Sequence, residues 1–270
     1  MKKYSGPIPQ MGFGTWKRAG EDGAEAVLAA LQAGYRHIDT ASAYGNEEDV
    51  GLALQKSGLA RNDVFITTKV WPSDYGPGGV LKSIRGSLQK LQLHKVDLLH
   101  LHWPSRDHDM TDAIKQLADA QDQGLTKLIG VSNFNRTLLD LAVKILGAKR
   151  IATLQIEIHP LCQNKSMVAY AHDRGIACTA YTPLARGAIL TNPTIQALAK
   201  KRKATEGQVS LAFLMAEGHI VIPTSSSPKR MAENFAAKDV ILTSDDINVM
   251  REIDEDRRLV TGSWDPDWSA

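Results

Sequence analysis

The chain reads as an α/β protein built as a closed (β/α)8 TIM barrel, with extra helices and a C-terminal loop over the barrel mouth. Short β-branched runs alternate with amphipathic helical stretches along its whole length. Eight such units in 270 residues average roughly 34 residues each, about the size of one βα repeat. No Pro- or Ser-rich linker and no low-complexity segment divides them, so residues 1–270 are expected to form a single domain.

The first strand is expected at 11–16 (MGFGTW). The helix after it has Ala24, Val27, Leu28 and Leu31 at i, i+3, i+4 and i+7. The run 37–41 (HIDTA) leads to a helix from about Asn46 to Lys56, and 64–69 (VFITTK) to one ending near Leu91. The run 96–103 (VDLLHLHW) precedes a helix opened by Thr111 and closed before Gly124. That at 127–132 (KLIGVS) precedes one bounded by Asn135 and Gly147. Strands at 151–157 and 176–181 flank a further helix. A helix near 193–202 is followed by one that begins on a capping box, Thr205 with Gln208, each side chain satisfying the other's free backbone N–H. The last strand, 219–223 (HIVIP), leads to helices near 229–235 and 245–253. An open sheet would need a GxGxxG turn after a strand. The nearest approach, Gly12-Phe13-Gly14, lacks the third glycine, so a nucleotide here is not held by a Rossmann turn.

Apolar residues at 43% and charged ones at 23% supply a sizeable core and exclude wholesale disorder. With 32 Lys+Arg against 30 Asp+Glu there is no global field for nucleic acid or an acidic membrane. No apolar run approaches the ~18 residues of a membrane span, and no apolar segment follows the opening MKKYSGPIPQ, so neither a span nor a secretory signal is expected. The two cysteines, Cys162 and Cys178, lie outside metal-ligand spacings and suit a reducing compartment, which points to the cytoplasm.

Catalytic residues of such a barrel gather at the carboxyl ends of its strands. Those ends offer Asp39 with Tyr44, then Lys69, then His102. Singly, Asp39 reads equally well as a turn cap, Tyr44 as loop packing and His102 as a satisfied core histidine. Lys69 is harder to dismiss, because a lysine closing the buried run VFITT needs a partner or an exit to water. Together they make a proton donor. A lysine ammonium beside a tyrosine favours the phenolate and lowers its pKa, and Asp39 would hold that ammonium charged. A histidine could then hydrogen-bond a carbonyl oxygen, but His100 and His102 share one strand face and spacing does not choose between them. Tyrosine and lysine are poor zinc ligands, and His94, His100 and His102 lack helical spacing, so no metal is expected.

The ordered set of motifs resembles the aldo-keto reductase superfamily, and within it the B-type branch of the bacterial 2,5-diketo-D-gluconate reductases. It comprises Gly14-Thr15-Trp16, the stretch from Gly34 through Asp39 and Tyr44 to Asn46-Glu47, Thr68-Lys69-Val70-Trp71 and His102-Trp103-Pro104. Gly130-Val131-Ser132-Asn133-Phe134, Gln155-Ile156-Glu157, Tyr181-Thr182-Pro183-Leu184 and Ile222-Pro223 running to Arg230 and Glu233-Asn234 complete it. The resemblance selects His102, which directly precedes Trp-Pro. It implies NADPH-dependent reduction of aldehydes and ketones without metal or flavin. Tyr44 would be the general acid, Lys69 and Asp39 the pair that tunes it, and His102 the group that orients the carbonyl. Ser132, Asn133 and Gln155 would hydrogen-bond the nicotinamide carboxamide, which needs both donors and acceptors, and Tyr181 would stack on the ring. Thr15, Trp16, Asp39, Thr182, Leu184, Thr224, Ser225, Ser226, Arg230, Glu233 and Asn234 complete the implied cofactor site.

One departure stands out: where the family usually reads Ile-Pro-Lys-Ser, this chain reads Ile222-Pro223-Thr224-Ser225. One phosphate-binding cation is missing, which leaves Arg230 to favour NADPH, with NADH as a weaker alternative. Trp16, Trp71, Trp103 and Trp264, with Tyr44 and His102, are expected around a substrate; the alternative is rim packing for Trp16, Trp71 and Trp103, and packing on outer helices for Trp264 and Trp268. The tail from Asp254 carries Trp264 and Trp268 and is expected to fold back across the mouth. No basic residue is fixed by a motif to take a carboxylate, so 2,5-diketo-D-gluconate, methylglyoxal, keto esters and aromatic aldehydes are equally admissible. The expected partner is therefore a small carbonyl compound, with no nucleic acid, no membrane and a monomeric chain. The alternatives are a cofactor-binding regulatory module with little turnover and a Schiff-base lyase using Lys69.

Overall fold

Eight parallel strands follow one another around a single sheet in chain order. The computed structural model describes residues 4–262 and 264–268, apart from the side chain of Glu21. Residues 1–3 and Ser263, Ser269 and Ala270 of the expected domain and tail lie outside the described residues. The strands are β1 (Phe13–Gly14), β2 (His37–Asp39), β3 (Phe65–Val70), β4 (Val96–Leu101), β5 (Thr126–Ser132), β6 (Ile151–Glu157), β7 (Ala177–Tyr181) and β8 (Ile220–Val221). The sheet closes on itself. Met11 bridges Val221, Gly12 N donates to Val221 O at 2.8 Å, and Gly14 N donates to Pro223 O at 3.0 Å. Gly14 is needed at that seam, because a Cβ there would lie 2.8 Å from the Ile222 carbonyl oxygen.

Ten α-helices cover the barrel among the described residues. They are α1 (Glu21–Gln32), α2 (Glu47–Ser57), α3 (Gly79–Leu91), α4 (Met110–Asp122), α5 (Arg136–Leu146), α6 (Lys165–His172), α7 (Pro193–Arg202), α8 (Glu206–Ala216), α9 (Pro228–Phe235) and α10 (Ser244–Glu252). Local chemistry sets their ends. Asn135 caps α5 by accepting from Leu138 N, Gly147 follows its last turn, and α8 starts on the Thr205–Gln208 capping box. One start differs from expectation. α4 begins at Met110 rather than Thr111, because the Asp109 carboxylate is the cap and accepts from Thr111 N. α10 opens on a second capping box, Thr243 with Asp246.

Strands β1, β2 and β8 are shorter than the runs 11–16, 37–41 and 219–223. Beyond β1 and β2 single backbone bonds persist (Thr15 N to Asp39 O, 3.0 Å; Thr40 N to Thr67 O, 2.9 Å), and the chain then turns away into the loops that carry the site. The main apolar core, with Val27, Leu31, Ile38, Ile66, Ile84, Leu99, Ile114, Ile129 and Leu154, joins helix and strand residues. Several strand positions are buried and polar instead: His37 Nε2 meets Thr67 Oγ1 at 3.0 Å, and the Thr153 and Thr179 hydroxyls are 2.8 Å apart.

Candidate active site

The carboxyl ends of β2, β3 and β4 bring Asp39, Lys69 and His102 together, and the turn after β2 adds Tyr44. Lys69 is fully buried. Its ammonium donates to Asp39 Oδ1, to Thr40 O at 2.9 Å and to the Tyr44 hydroxyl at 3.4 Å. Burial works against a charged lysine, but Asp39 and the Tyr44 phenol outweigh it and hold Lys69 above its ordinary value. The Tyr44 pKa is raised, not lowered. Desolvation dominates, and the nearby ammonium offsets only part of it. The expected direction of Lys69's influence is right, and its expected dominance is corrected.

His102 packs edge-to-face against Tyr44 (5.5 Å between ring centroids) and Trp71 (5.1 Å). Burial, reinforced by Lys69 and His100, pushes it well below the usual histidine range, so it is neutral at pH 7. His100 lies deeper, opposite Gly130, with both ring nitrogens unpartnered among the described residues.

Two residues of the quoted motifs that had no assigned role hold Tyr44 in place. The Asn46 amide donates to Thr15 O and Arg18 O and accepts from Thr40 Oγ1 at 2.8 Å. Glu47 is buried at the start of α2 and accepts from Thr68 Oγ1, next to Lys69. The Ser42–Tyr44 turn, which lies between Thr40 and Asn46, is thereby tied to the ends of β1 and β2 and to β3. The available signal was Asn-Glu at a helix start, one glycine beyond the tyrosine.

At the ends of β5, β6 and β7, Ser132, Asn133, Gln155 and Tyr181 form one linked group. Ser132 Oγ donates to Gln155 O at 2.9 Å, the Asn133 amide donates to His102 O at 3.0 Å, and the Tyr181 hydroxyl donates to Asn133 Oδ1 at 2.8 Å. Gln155 Nε2 donates to Asp39 Oδ2 at 2.9 Å, which joins this group to the Lys69 cluster. Asn133 and Thr182 both have left-handed backbones, with φ 59° and 52°. Leu184 packs on the core near Gly207, and Thr15 Oγ1 is buried without a partner among the described residues.

After β8, Thr224 and Ser226 are exposed, Asn234 is buried, and Glu233 lies 3.9 Å from Lys229. Ser225 Oγ accepts from Arg230 Nε at 3.3 Å, so this hydroxyl holds the exposed guanidinium. Ser227, given no role from the sequence, caps α9.

Of the indoles, Trp71 touches His102, and Trp103 is buried and meets Trp264 edge-on at 6.1 Å. Trp16 is 45% exposed, with Arg186 5.7 Å over its ring. Trp268 lies under the Arg258 guanidinium. A cavity of about 690 Å³ between the Tyr44 loop and α3 shares Trp71 and Glu47 with this region, but Tyr44, Lys69 and His102 do not line it. Among the described residues no His, Cys, Asp and Glu group could hold a metal, and no helix is long and apolar enough to cross a membrane.

A parallel barrel with Asp, Tyr, Lys and His converging at its carboxyl end, beside an amide–hydroxyl group and an arginine-bearing helix start, is the architecture of a carbonyl oxidoreductase. Residues 10–255 match the Aldo/keto reductase family, and the chain belongs to it. It is 40% identical over 256 residues to methylglyoxal reductase DkgB of Yersinia pestis, covering 94% of this chain and 96% of that one. The same identity holds over 253 residues with an aldo-keto reductase of Mycolicibacterium smegmatis, covering 93% and 92%. Among solved structures, one provisionally named 2,5-diketo-D-gluconic acid reductase B has a TM-score of 0.93 at 37% identity, covering 97% and 94%. A Bombyx mori aldo-keto reductase in complex with NADP has a TM-score of 0.88 at 32% identity, covering 97% and 95%.

Proposed function

We propose that this protein reduces small aldehydes and ketones with NADPH, Tyr44 acting as general acid. The observation that carries the reading is the buried Lys69 ammonium, bonded at once to Asp39 and to the Tyr44 hydroxyl. The residues present fit the cofactor. Asn133 and Gln155 offer the donor and acceptor atoms a carboxamide needs, Tyr181 offers an aromatic face, and Thr15 Oγ1 is a buried hydroxyl without a partner among the described residues. Arg230, exposed at the start of α9, supplies a guanidinium for the adenosine phosphate.

When bound, NADPH would supply the hydride. Tyr44 gives its proton to the carbonyl oxygen as negative charge develops there, and the Lys69 ammonium stabilises the phenolate left behind. Asp39 keeps that ammonium charged and oriented. His102, being neutral, donates a hydrogen bond to the same oxygen rather than a full proton. Lys69 is held charged, which argues against an amine nucleophile and a Schiff-base lyase.

Two further features belong to this reading. The tail, through Trp264 on Trp103 and Asp265 O accepting from Arg106, serves as a wall of the substrate pocket. The relatives' names make methylglyoxal and 2,5-diketo-D-gluconate the first substrates to try. NADPH oxidation, followed at the cofactor's absorbance with these two, a keto ester and an aromatic aldehyde, tests the proposal. Turnover with at least one is expected. Tight NADPH binding with no turnover on any would favour a regulatory module.

A further inference from the structure

Glu157 ends β6, opposite Tyr181 and two residues beyond Gln155, and it is fully buried. Besides the neighbouring His159, its carboxylate takes its partners from the C-terminal segment. Oε1 accepts from Leu259 N at 2.8 Å and lies 3.1 Å from His159 Nε2, and Oε2 accepts from Val260 N at 3.1 Å. The flanking residues are held to the same loop. Glu255 N and Arg257 N both donate to Leu161 O, and Arg258 donates to Asn164 Oδ1 at 2.9 Å, while the Asn164 amide donates to the Glu157 carbonyl. Beyond this point the chain reaches the ends of β4 and β5. Trp264 meets Trp103, Asp265 O accepts from Arg106 at 3.0 Å, and Asp267 O accepts from Asn135 at 2.9 Å.

A buried carboxylate is costly unless hydrogen bonds replace its lost water. Here two backbone amides of the tail do so, which makes the carboxylate and the tail depend on each other. We propose that Glu157 is a positioning residue for the substrate pocket: its carboxylate latches Leu259 and Val260 to the end of β6 and so sets where Trp264 stands against Trp103. It touches none of the reacting groups named above and acts through the tail. The kinetic part of the inference rests on the proposed carbonyl reduction, and the structural part does not.

The test compares wild type with Glu157→Gln and Val260→Pro. The first keeps the size of the side chain but removes its charge and one acceptor. The second removes one latch donor from the tail and leaves every barrel residue in place. Amide hydrogen exchange read by mass spectrometry over 256–268 should quicken by about tenfold or more in both variants, the loss expected for one charge-assisted bond, while exchange in β4–β6 stays unchanged. The ratio of kcat/KM for phenylglyoxal to that for methylglyoxal should shift by about threefold or more, and the NADPH Kd should stay within about twofold. Unchanged exchange over 256–268 in both variants overturns the latch. Faster exchange with an unchanged substrate ratio overturns the positioning role and leaves the latch standing. Absence of turnover in the wild type would strike the carbonyl-reduction reading instead, and the exchange result would still decide the latch.

Discussion

A tyrosine is a useful acid only while its proton is both present and transferable, and at Tyr44 two forces oppose each other. Burial pushes the phenol up and Lys69 draws it back. Removing the hydroxyl in Tyr44→Phe should lower turnover by roughly 100- to 10,000-fold, the usual contribution of a positioned acid, with NADPH affinity little changed. Full activity in that variant would remove Tyr44 from the mechanism. Lys69→Met should also cut turnover, and its pH profile carries a sign. Without the ammonium the phenol rises further, so the alkaline limb of kcat/KM must move to higher pH; a downward shift would contradict the pairing. At the proposed phosphate site, Arg230 stands without the family lysine, Thr224 being neutral. Arg230→Ala should weaken NADPH by about 10- to 150-fold and NADH much less, as expected for one charge-assisted contact, and Thr224→Lys should sharpen the preference. Equal losses for both cofactors would show that Arg230 does not read the extra phosphate. These side chains stood out in the sequence because each belongs to a short motif, at a strand end for Lys69, on the turn after β2 for Tyr44 and at the start of α9 for Arg230. The net direction of the Tyr44 shift was not, because it depends on how much water the folded barrel excludes.

At the scale of elements, helix ends were readable wherever one local cap decided them, as with Asn135 and Gly147 around α5 or Thr205 and Gln208 at α8. The start of α4 was misplaced because two capping residues, Asp109 and Thr111, lie two apart and only one takes the role. The tertiary work of Asn46 left only a faint local signature, its place at a helix start just past the tyrosine. It stands at the N-cap of α2 without capping it, its amide spent on Thr15, Arg18 and Thr40. Asn46→Ala should therefore act on the Tyr44 turn more than on the helix. It strands buried backbone carbonyls at about 1–3 kcal/mol, and kcat should fall by about tenfold as the acid loses its fixed distance from Lys69. Thr243→Ala, which removes a true cap from α10, should cost about 1 kcal/mol and leave kcat alone. Thermal melts and steady-state rates on the two variants separate these effects. A similar kcat for both would mean that Asn46 is only structural.

At the scale of the molecule, strand–helix alternation made the barrel legible, whereas the character of its buried positions was hidden, since strand periodicity alone does not separate a polar residue on the wall from one inside. The folded chain buries four histidines whose pKa values all move down: His37, His100, His102 and His219, the last to about 3. Desolvation is the largest cause in each. The consequence is an acid liability with a definite sign. Above pH ~6.5 these histidines are neutral in both folded and unfolded chains and do not affect the balance. As the pH falls below that, the unfolded chain takes up protons that the folded one refuses, so stability declines until the folded values are reached. At pH 5.5 His219, held at about 3, costs roughly 1.4 kcal/mol against the ~5–15 kcal/mol of a typical domain's total stability, and His37, His100 and His102 act in the same direction. Asp97 and Asp246, held below their usual range in the fold despite burial, add to the loss at still lower pH. Circular-dichroism melts should therefore show the midpoint dropping by at least about 3–6 °C between pH 7.5 and 5.5, the share of His219 alone. His219→Gln should flatten part of that slope, because it removes one of the four groups and lies far from Tyr44 in the chain. A midpoint constant over this range would mean that the buried histidines accept protons as readily as exposed ones, and that the barrel interior is far wetter than its packing implies.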